Sequence, residues 1–312
     1  MSTRAAAPHP VPVGDRIEWP TLLLALAIHG GWGWLCFEAA RLPFWLVLPA
    51  GAWLIAWHMS LQHELIHGHP TPWRRVNRLL GSLPLSLWLP FSRYEDTHLG
   101  HHRGARLTDP VDDPESHYVS PGDYARTGRL GRLALRINST LLGRLTLGPA
   151  RGMALFLAAE ARRIRAGDPA VRRAWAWHAV GVALVLLWLG PVCHLPLWRY
   201  GLLFIYPGYA LALVRSFAEH RQADEADHRT AIVERAPVLG LLFLHNNLHL
   251  VHHLRPGLPW YRIPAAYRAE REALIRRNGG LVYRGYGDVA RRFLFRPHDE
   301  PVHRGAVPET GG

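Results

Sequence analysis

The chain has 312 residues, of which 49% are hydrophobic, and its 36 basic residues, all arginine, outnumber 24 acidic ones. A net charge of +12 suits nucleic acid, a membrane surface or an acidic protein, but thirteen tryptophans and several long apolar runs favour the membrane over nucleic acid. Two cysteines, Cys36 and Cys193, exclude a disulfide framework and a cysteine-based metal site, although one bridge between them stays open.

The N-terminal half begins with a polar segment, residues 1–19, that lacks the pattern of a cleaved signal peptide. Apolar runs follow at about 21–39 and 43–62, each close to the roughly 20 residues that span a bilayer. Only a short connection separates them, so they are predicted to form a helical hairpin. The second run continues directly into His63, which places the first histidine motif at the membrane surface.

Two further apolar stretches are predicted to lie at the interface. Residues 79–91 are too short to span and contain two prolines. Residues 133–160 are amphipathic and interrupted by Arg136, Arg144 and Arg151. An arginine near the bilayer centre costs about 2.5–3.5 kcal/mol, which favours an interfacial helix; a third span here would reverse the topology of everything that follows.

A second hairpin is predicted from the apolar runs at 174–192 and 197–214. Arginines cluster at the histidine-bearing ends of both hairpins, so the positive-inside rule places the histidine motifs in the cytoplasm. The predicted fold is an all-α integral membrane protein, with four transmembrane helices in two hairpins, interfacial helices and a cytosolic helical cap. One domain covers residues 20–290, and the polar tail 291–312 is expected to be disordered.

Three histidine motifs carry the chemistry: His63-Glu-Leu-Ile-His67, His98-Leu-Gly-His101-His102 and His249-Leu-Val-His252-His253. On a helix, positions i, i+3 and i+4 share one face, so each HxxHH motif is predicted to present three imidazoles in one direction. Imidazole suits zinc, iron, copper and nickel. Eight such rings exceed what one tetrahedral zinc can use, and the sequence therefore predicts a two-metal site.

Other side chains are candidates beside these eight. His220 follows the fourth span and is predicted to be a further ligand. Outer contacts to the ligands or to a metal-bound water are predicted for His69, His245, Asn246, Asn247, Asp109 and Asp112. Direct ligation by His245 stays open, because it precedes His249 by four residues. The acidic loop 107–115 contains two prolines and is predicted to be an exposed turn that contacts the imidazoles.

Two other classes of function compete with this interpretation. The first motif satisfies the zinc-protease pattern HExxH, with Glu64 as general base, but a protease leaves most of the other histidines unexplained. A metal transporter places polar ligands near the bilayer midplane. The predicted spans contain few polar side chains, mainly His29, His58 and His178, which are predicted to pack as hydrogen-bonded groups.

The order HxxxH, HxxHH, HxxHH, with a spanning hairpin before the first motif and another before the third, resembles the membrane fatty acid desaturase superfamily over roughly residues 20–290. The segments 63–70 and 246–253 are similar to those of bacterial fatty acid desaturases and hydrocarbon oxygenases. The resemblance implies two non-haem irons held by the eight motif histidines together with His220. One departure is Ser216, where some acyl-CoA desaturases have an asparagine four residues before the extra histidine.

The resemblance further implies O2 as co-substrate and a separate electron donor. The expected function is oxygen-dependent desaturation of a lipid acyl chain in the bacterial inner membrane. The alternative is a hydroxylase or ketolase that acts on a hydrocarbon or another lipid. The chain has neither the paired CxxC of a rubredoxin nor the His-Pro-Gly-Gly of a cytochrome b5, and a ferredoxin is expected because such carriers are commonly acidic and this chain is basic.

Overall fold

The computed structural model of the chain describes residues 17–103 and 106–305, and these residues are almost entirely helical. Most of residues 1–19 and the end of the 291–312 tail lie outside the described ranges. The α-helices of the described residues are α1 Trp19–Glu38, α2 Phe44–Ile66, α3 Arg74–Ser82, α4 Phe91–Arg103, α5 Pro121–Arg126, α6 Arg129–Asn138, α7 Leu141–Thr146, α8 Gly148–Arg165, α9 Pro169–Leu187, α10 Leu197–Tyr200, α11 Tyr206–Glu219, α12 Pro237–Leu242, α13 His249–Leu254, α14 Ile263–Arg277 and α15 Tyr286–Phe293.

Four helical segments are long and apolar enough to cross a membrane: Trp19–Glu38, Phe44–Ile66, Pro169–Val192 and Leu197–Glu219. The last two include π-helical turns, at Trp188–Val192 and Gly201–Ile205. These segments confirm the two predicted hairpins and extend the second and fourth spans by about one turn each. The extension brings His63 inside α2 and places Glu219 at the end of α11, so the membrane helices themselves carry side chains to the site.

The two hairpins pack through α2 and α11, where glycines allow the backbones to approach closely. A Cβ on Gly208 would lie 2.5 Å from Cβ of Ile55, and one on Gly51 would lie 2.8 Å from the carbonyl oxygen of Leu203. At the membrane edge opposite the histidines, Arg199 donates a hydrogen bond to the carbonyl of Ala39 at 2.9 Å. The hairpins are therefore held together within the spans and at the edge opposite the histidines.

Both cysteines lie at this edge, and both are buried and free. The bridge that the sequence left open between Cys36 and Cys193 is not formed. The packing of the hairpins needs no covalent link, because an apolar cluster that includes Ile28, Ile55 and Phe204 fills the space between them.

The connections between spans lie beside the bundle as the sequence predicts. Residues 79–91 divide into the end of α3 and a non-helical stretch before α4. Residues 133–160 form three helices; α7 and α8 pack against α11, and α6 packs against α7. None of them is among the four segments that could cross a membrane in the described part of the chain, so the alternative of a third span here is wrong.

Residues 220–305 form a cap over the histidine-bearing end of the bundle. The cap contains α12 to α15, 3₁₀ turns at Ala226–Arg229 and Trp260–Arg262, and a short parallel strand pair. In that pair, β1 Ile232–Val233 is hydrogen-bonded to β2 Val282–Tyr283. Apart from two isolated β-bridges, this strand pair is the one departure from an all-α fold in the described residues.

The expectation of a disordered tail from residue 291 is wrong for the part that the structure describes. After α15, residues 294–305 run across the cap and make defined contacts. The Asp299 carboxylate accepts a hydrogen bond from the Tyr118 hydroxyl at 2.9 Å, and the backbone N–H of His303 donates to the carbonyl of Val119. His298 and His303 are both buried. The polar composition of this segment could not predict its packing, because the residues that it contacts come from distant parts of the chain.

Candidate metal centre

Nine histidines converge at the junction of the bundle and the cap, and they form two groups. Within each group, the ligand atoms lie within 4.8 Å of one another. Group one contains His63 and His67 from α2, His98 and His102 from α4, and His252 from α13; group two contains His101 from α4, His220 at the end of α11, and His249 and His253 from α13. All eight motif histidines and His220 are therefore brought together. Neither His69 nor His245 belongs to either group.

Each HxxHH motif divides between the two groups, which differs from the prediction of three imidazoles facing one way. In α4, His98 and His102 belong to group one and His101 to group two; in α13, the pair His249 and His253 belongs to group two. Around the helix axis, residue i+4 is rotated slightly to one side of residue i, and residue i+3 slightly to the opposite side. A single helical turn therefore serves both groups, and the rings of His102 and His253 stack at 4.4 Å.

The distances between ring nitrogens are those of ligands around a common ion. Pairs of Nε2 atoms are 2.9 Å apart for His67 and His98 and 3.0 Å for His102 and His252. In group two, Nε2 of His249 lies 2.9 Å from that of His220. With metal–nitrogen bonds of about 2.0–2.1 Å, neighbouring ligand atoms lie roughly 3 Å apart, so each group has the dimensions of a metal site.

Carboxylates hydrogen-bond two of these rings through the other nitrogen, and a third carboxylate lies close to another ring. Glu115 lies 3.0 Å from Nδ1 of His98, and Asp113 lies 2.8 Å from Nδ1 of His101. Glu219 lies 3.2 Å from Nδ1 of His249. An Nδ1–H that donates to a carboxylate leaves the Nε2 lone pair free for a metal and makes it more basic. The ring of His220 is held in the same way by the carbonyl of Arg229.

Asn246 connects the two groups. Its Nδ2 donates to Nε2 of His63 at 3.1 Å, and its Oδ1 accepts from Nδ1 of His249 at 2.9 Å. The predicted outer contact of Asn246 with ligands is therefore present in the structure. One buried amide orients a ring of each group, which couples the position of α2 to that of α13.

The other predicted outer residues lie away from the ligands. Asn247 donates to the carbonyl of Val233 at 2.6 Å and so fixes the cap backbone. His69 hydrogen-bonds Glu18 at 2.7 Å. His245 has a positive φ of 58°, which takes it off the α13 face, and its ring stacks on Trp260.

In the acidic loop, the sequence predicted that Asp109 and Asp112 contact the ligands, and the structure shows that they do not. Asp109 accepts hydrogen bonds from two backbone N–H groups of its own turn, and Asp112 pairs with Arg106 at 2.9 Å. Asp113 and Glu115 reach the rings instead. All four acids look alike in sequence, because their direction depends on how the loop folds back onto α4.

The sequence also missed Glu219, together with Arg215, which lies one turn earlier on α11. Nε of Arg215 is 3.1 Å from Glu219, and both side chains are largely buried. Glu219 directly precedes His220, but nothing in the spacing relates it to His249. The guanidinium supplies a positive charge that balances the buried carboxylate.

Burial keeps most of the rings neutral. It lowers the pKa of His67, His249, His252 and His253 well below the usual range, with further lowering by neighbouring imidazoles. Burial also lowers the pKa of His102 to about 2 and that of His220 to about 3. Neutral rings have the free lone pair that metal binding requires.

His101 is the exception among the rings. Burial acts to lower its pKa, but the hydrogen bond to Asp113 and the charge of Glu115 outweigh burial and raise the pKa above its ordinary value. Metal binding at this ring therefore has to displace a more tightly held proton.

The competing motif interpretations find less support. Glu64 belongs to neither group and lies 3.7 Å from His69, on a different side of α2 from His63 and His67. A zinc protease would need that carboxylate beside the metal. Within the spans, Nε2 of His178 lies 2.9 Å from the carbonyl of Leu87, a packing contact rather than a transport site. Ser216 donates to the carbonyl of Leu213 and takes no part in either group.

A family model described as fatty acid desaturase matches residues 39–286. No curated protein matches the chain. The family match covers most of the sequence and all nine converging histidines, and it agrees with the four apolar spans. The chain is therefore a member of the fatty acid desaturase family, a family of membrane oxidoreductases that act on lipids.

Proposed function

We propose that this protein is an oxygen-dependent desaturase of lipid acyl chains and that its nine converging histidines hold two non-haem irons. The observation that carries the proposal is the division of these rings into two adjacent groups of five and four. A single zinc needs only four ligands. Two groups whose rings stack on each other are what a pair of cooperating metal ions requires.

The donor set fits iron. Imidazole is a common ligand of iron, and nitrogen spacings of about 3 Å suit metal–nitrogen bonding in both groups. His63, His67, His98, His102 and His252 would hold one iron, and His101, His220, His249 and His253 the other. When bound, the irons supply reductive activation of O2 and removal of hydrogen from an unactivated C–H bond.

The protein's own residues prepare this site in three ways. Asp113 and Glu115 fix the orientation of His101 and His98 through Nδ1–H, and Asn246 does the same for His249. The cap covers the rings, so that most of them are buried from water. Arg215 lies 3.1 Å from Glu219 and so offsets part of the cost of burying this carboxylate.

Desaturation removes two hydrogens from neighbouring carbons and, with two electrons and two protons from outside, converts O2 to two waters. Hydroxylation of the same carbon is the alternative outcome, and a tenfold preference needs only about 1.4 kcal/mol. The two electrons have to come from a separate carrier, for which we propose an acidic ferredoxin because the chain carries a net charge of +12. We further propose a bacterial inner membrane location with the cap in the cytoplasm.

The test compares purified wild-type protein with His253→Ala and His178→Ala. We expect about two irons per chain in the wild type, a loss of iron and of activity together in His253→Ala, and unchanged iron in His178→Ala, since that ring bonds only to a backbone carbonyl. Lipid profiling of a host that expresses each protein identifies the product. One tightly bound zinc, or full iron content in His253→Ala, would refute the proposal.

A further inference from the structure

Arg144 on α7 is a buried cation without a buried anion. It is only 6% exposed, and no carboxylate of the described residues lies within 4 Å of its guanidinium. Its Nε donates to the carbonyl of Asn138 at 3.3 Å, and the guanidinium lies over the ring of Phe217 at 5.8 Å. Buried charges in proteins are normally paired with an opposite charge, so an anion is expected beside Arg144.

The surroundings of Arg144 add further positive charge instead of balancing it. Arg151, in the first turn of α8, is half-buried and also has no carboxylate partner in the described part of the chain. Burial first, and then the charge of Arg151, lower the pKa of Arg144 to about 10. The two guanidiniums repel each other, and an anion beside them would offset both this repulsion and the cost of burying Arg144.

Uncharged polar groups complete the cluster. The Oδ1 atom of Asn138 is buried without a hydrogen-bond partner among the described residues. The hydroxyl of Tyr209 packs against Gly152, where a Cβ would lie 2.5 Å from it, and it is close enough to Arg144 to interact with its charge. An amide can turn either its oxygen or its nitrogen toward a ligand. Two guanidiniums, an amide and a phenol are the groups that recognise a carboxylate or a phosphate.

The position of the cluster indicates what carries that anion. α7 and α8 pack against α11, a membrane-spanning helix, and Phe217 lies on α11 just before Glu219 and His220. Exposed Leu142 and Leu155 lie on these two helices, and exposed Leu147 lies between them. An anion held here is therefore next to apolar surface on one side and to the metal ligands on the other, as the headgroup of a lipid would be.

We propose that Arg144 and Arg151, with Asn138 and Tyr209, bind the anionic headgroup of the lipid substrate, a carboxylate or a phosphate. The inference rests on the proposed function and narrows it: the substrate is an acyl chain with a charged end, not a neutral hydrocarbon. A headgroup fixed at one place also sets the distance along the chain to the oxidised carbon.

The test measures equilibrium binding to the full-length purified protein in nanodiscs of a zwitterionic lipid. Palmitate and methyl palmitate share one chain and differ in charge. We expect the wild type to bind palmitate at least tenfold more tightly than the ester, and Arg144→Gln and Arg151→Gln to remove that preference. Arg144→Lys, which keeps the charge, should retain part of it. Arg136→Gln is the matched control, because Arg136 is an exposed arginine at the end of α6.

Two further probes distinguish the sources of the anion. Phosphatidylglycerol bound in the same arginine-dependent way, with palmitate not bound, would identify the headgroup as a phosphate and support the proposal. Inorganic phosphate bound without either lipid would overturn it. Equal affinity for palmitate and its ester, or an equal loss in Arg136→Gln, would also overturn it. If Arg144→Gln does not fold, the half-buried Arg151→Gln decides the outcome alone.

Iron content, measured on every variant, separates this inference from the proposed function. Arginine-dependent palmitate binding by a protein without iron would leave the headgroup site standing and refute the metal proposal. Two bound irons with no preference for the charged lipid would refute the headgroup site alone.

Discussion

At the scale of single residues, the site depends on which nitrogen of each imidazole is free, and for His98 and His101 carboxylates outside the ligand set decide that. Asp113 accepts from Nδ1 of His101 and from the backbone N–H groups of Thr108 and Glu115. It therefore fixes both the ring and the loop behind it. Removing it leaves His101 without the partner that selects the Nε2 lone pair.

We expect Asp113→Ala to weaken metal binding in group two by about 10–100-fold, the usual effect of losing such a contact. Asp112→Ala is the control, because Asp112 is half-exposed and pairs only with Arg106. The measurement is iron content after dialysis against a graded series of chelator concentrations. Equal retention of iron in the two variants would show that the Asp113 contact does not orient the ring.

A second residue-level prediction uses two histidines four positions apart. His249→Ala should lose the group-two metal, whereas His245→Ala should keep it, because the left-handed backbone at His245 turns its ring onto Trp260. Metal analysis of both purified variants checks this. Loss of iron in His245→Ala without loss of folding, as judged by size-exclusion chromatography, would contradict the structural assignment.

The same residues show how much of the site was predictable. Spacing on a helix is local, so the eight motif histidines could be found from the sequence, and His220 from its place after a span. The carboxylate partners could not, because the contact of Glu219 with His249 arises only when α11 meets α13. His245 was placed on a helix face because spacing assumes helical backbone, which begins only at His249.

At the scale of elements, both groups need α2 and α11 at a fixed separation. Gly208 sets it, since a Cβ there would meet Ile55 at 2.5 Å, whereas a Cβ on Gly201 meets nothing within 4 Å. Gly208→Ala should lower stability by about 1–3 kcal/mol through overpacking. It should also reduce iron content, because α2 carries His63 and His67 and α11 leads into His220.

Gly201→Ala is the matched change in the same span and should be neutral or slightly stabilising, because alanine favours the helix over glycine. Thermal unfolding in detergent, with iron content measured in parallel, compares the two. If Gly208→Ala unfolds at the same temperature as Gly201→Ala, the close packing of α2 and α11 does not limit stability.

The segment 294–305 is a second element whose attachment can be tested, here by pH. Burial first, and then the charge of Arg221, lower the pKa of His298 to about 4, against an ordinary value of 6.5. The packed ring therefore resists protonation while the released ring accepts a proton. Attachment is complete above pH 6.5 and weakens as pH falls toward 4, by at most about 3 kcal/mol.

Hydrogen exchange of residues 294–305, corrected for the intrinsic pH dependence of exchange, should show faster opening at pH 5 than at pH 7.5. His298→Gln keeps a hydrogen-bonding group for the Tyr283 hydroxyl but does not titrate, so the pH effect should shrink. An unchanged effect in that variant would assign the titration to another group, such as the buried His303.

At the scale of the whole molecule, the fold was predictable to the extent that the membrane imposes it. Span length and the arginine distribution are properties of composition, and they gave the two hairpins correctly. The packing of the cap depends on contacts such as that of Asp299 with Tyr118, which joins the end of the chain to the loop after α4. Such pairs have no local signature, so a polar segment was taken for a disordered one.

The metal centre as a whole requires that α4 and α13 face the same side of the membrane, and labelling can test this directly. In a variant with both natural cysteines replaced by serine, single cysteines at Val111 and Arg276 should react with a membrane-impermeant maleimide from one face. A cysteine at Arg41 should react from the other face. All three positions are strongly exposed, so reactivity reports the compartment and not burial.

With the arginine-rich ends in the cytoplasm, Val111→Cys and Arg276→Cys should react in inverted vesicles and Arg41→Cys in spheroplasts. The reverse pattern would invert the orientation but leave the site intact, since α4 and α13 would still meet. Labelling of Val111→Cys and Arg276→Cys from opposite faces would exclude the metal centre described here. His102 and His252, 3.0 Å apart, cannot be neighbours if a bilayer separates the segments that carry them.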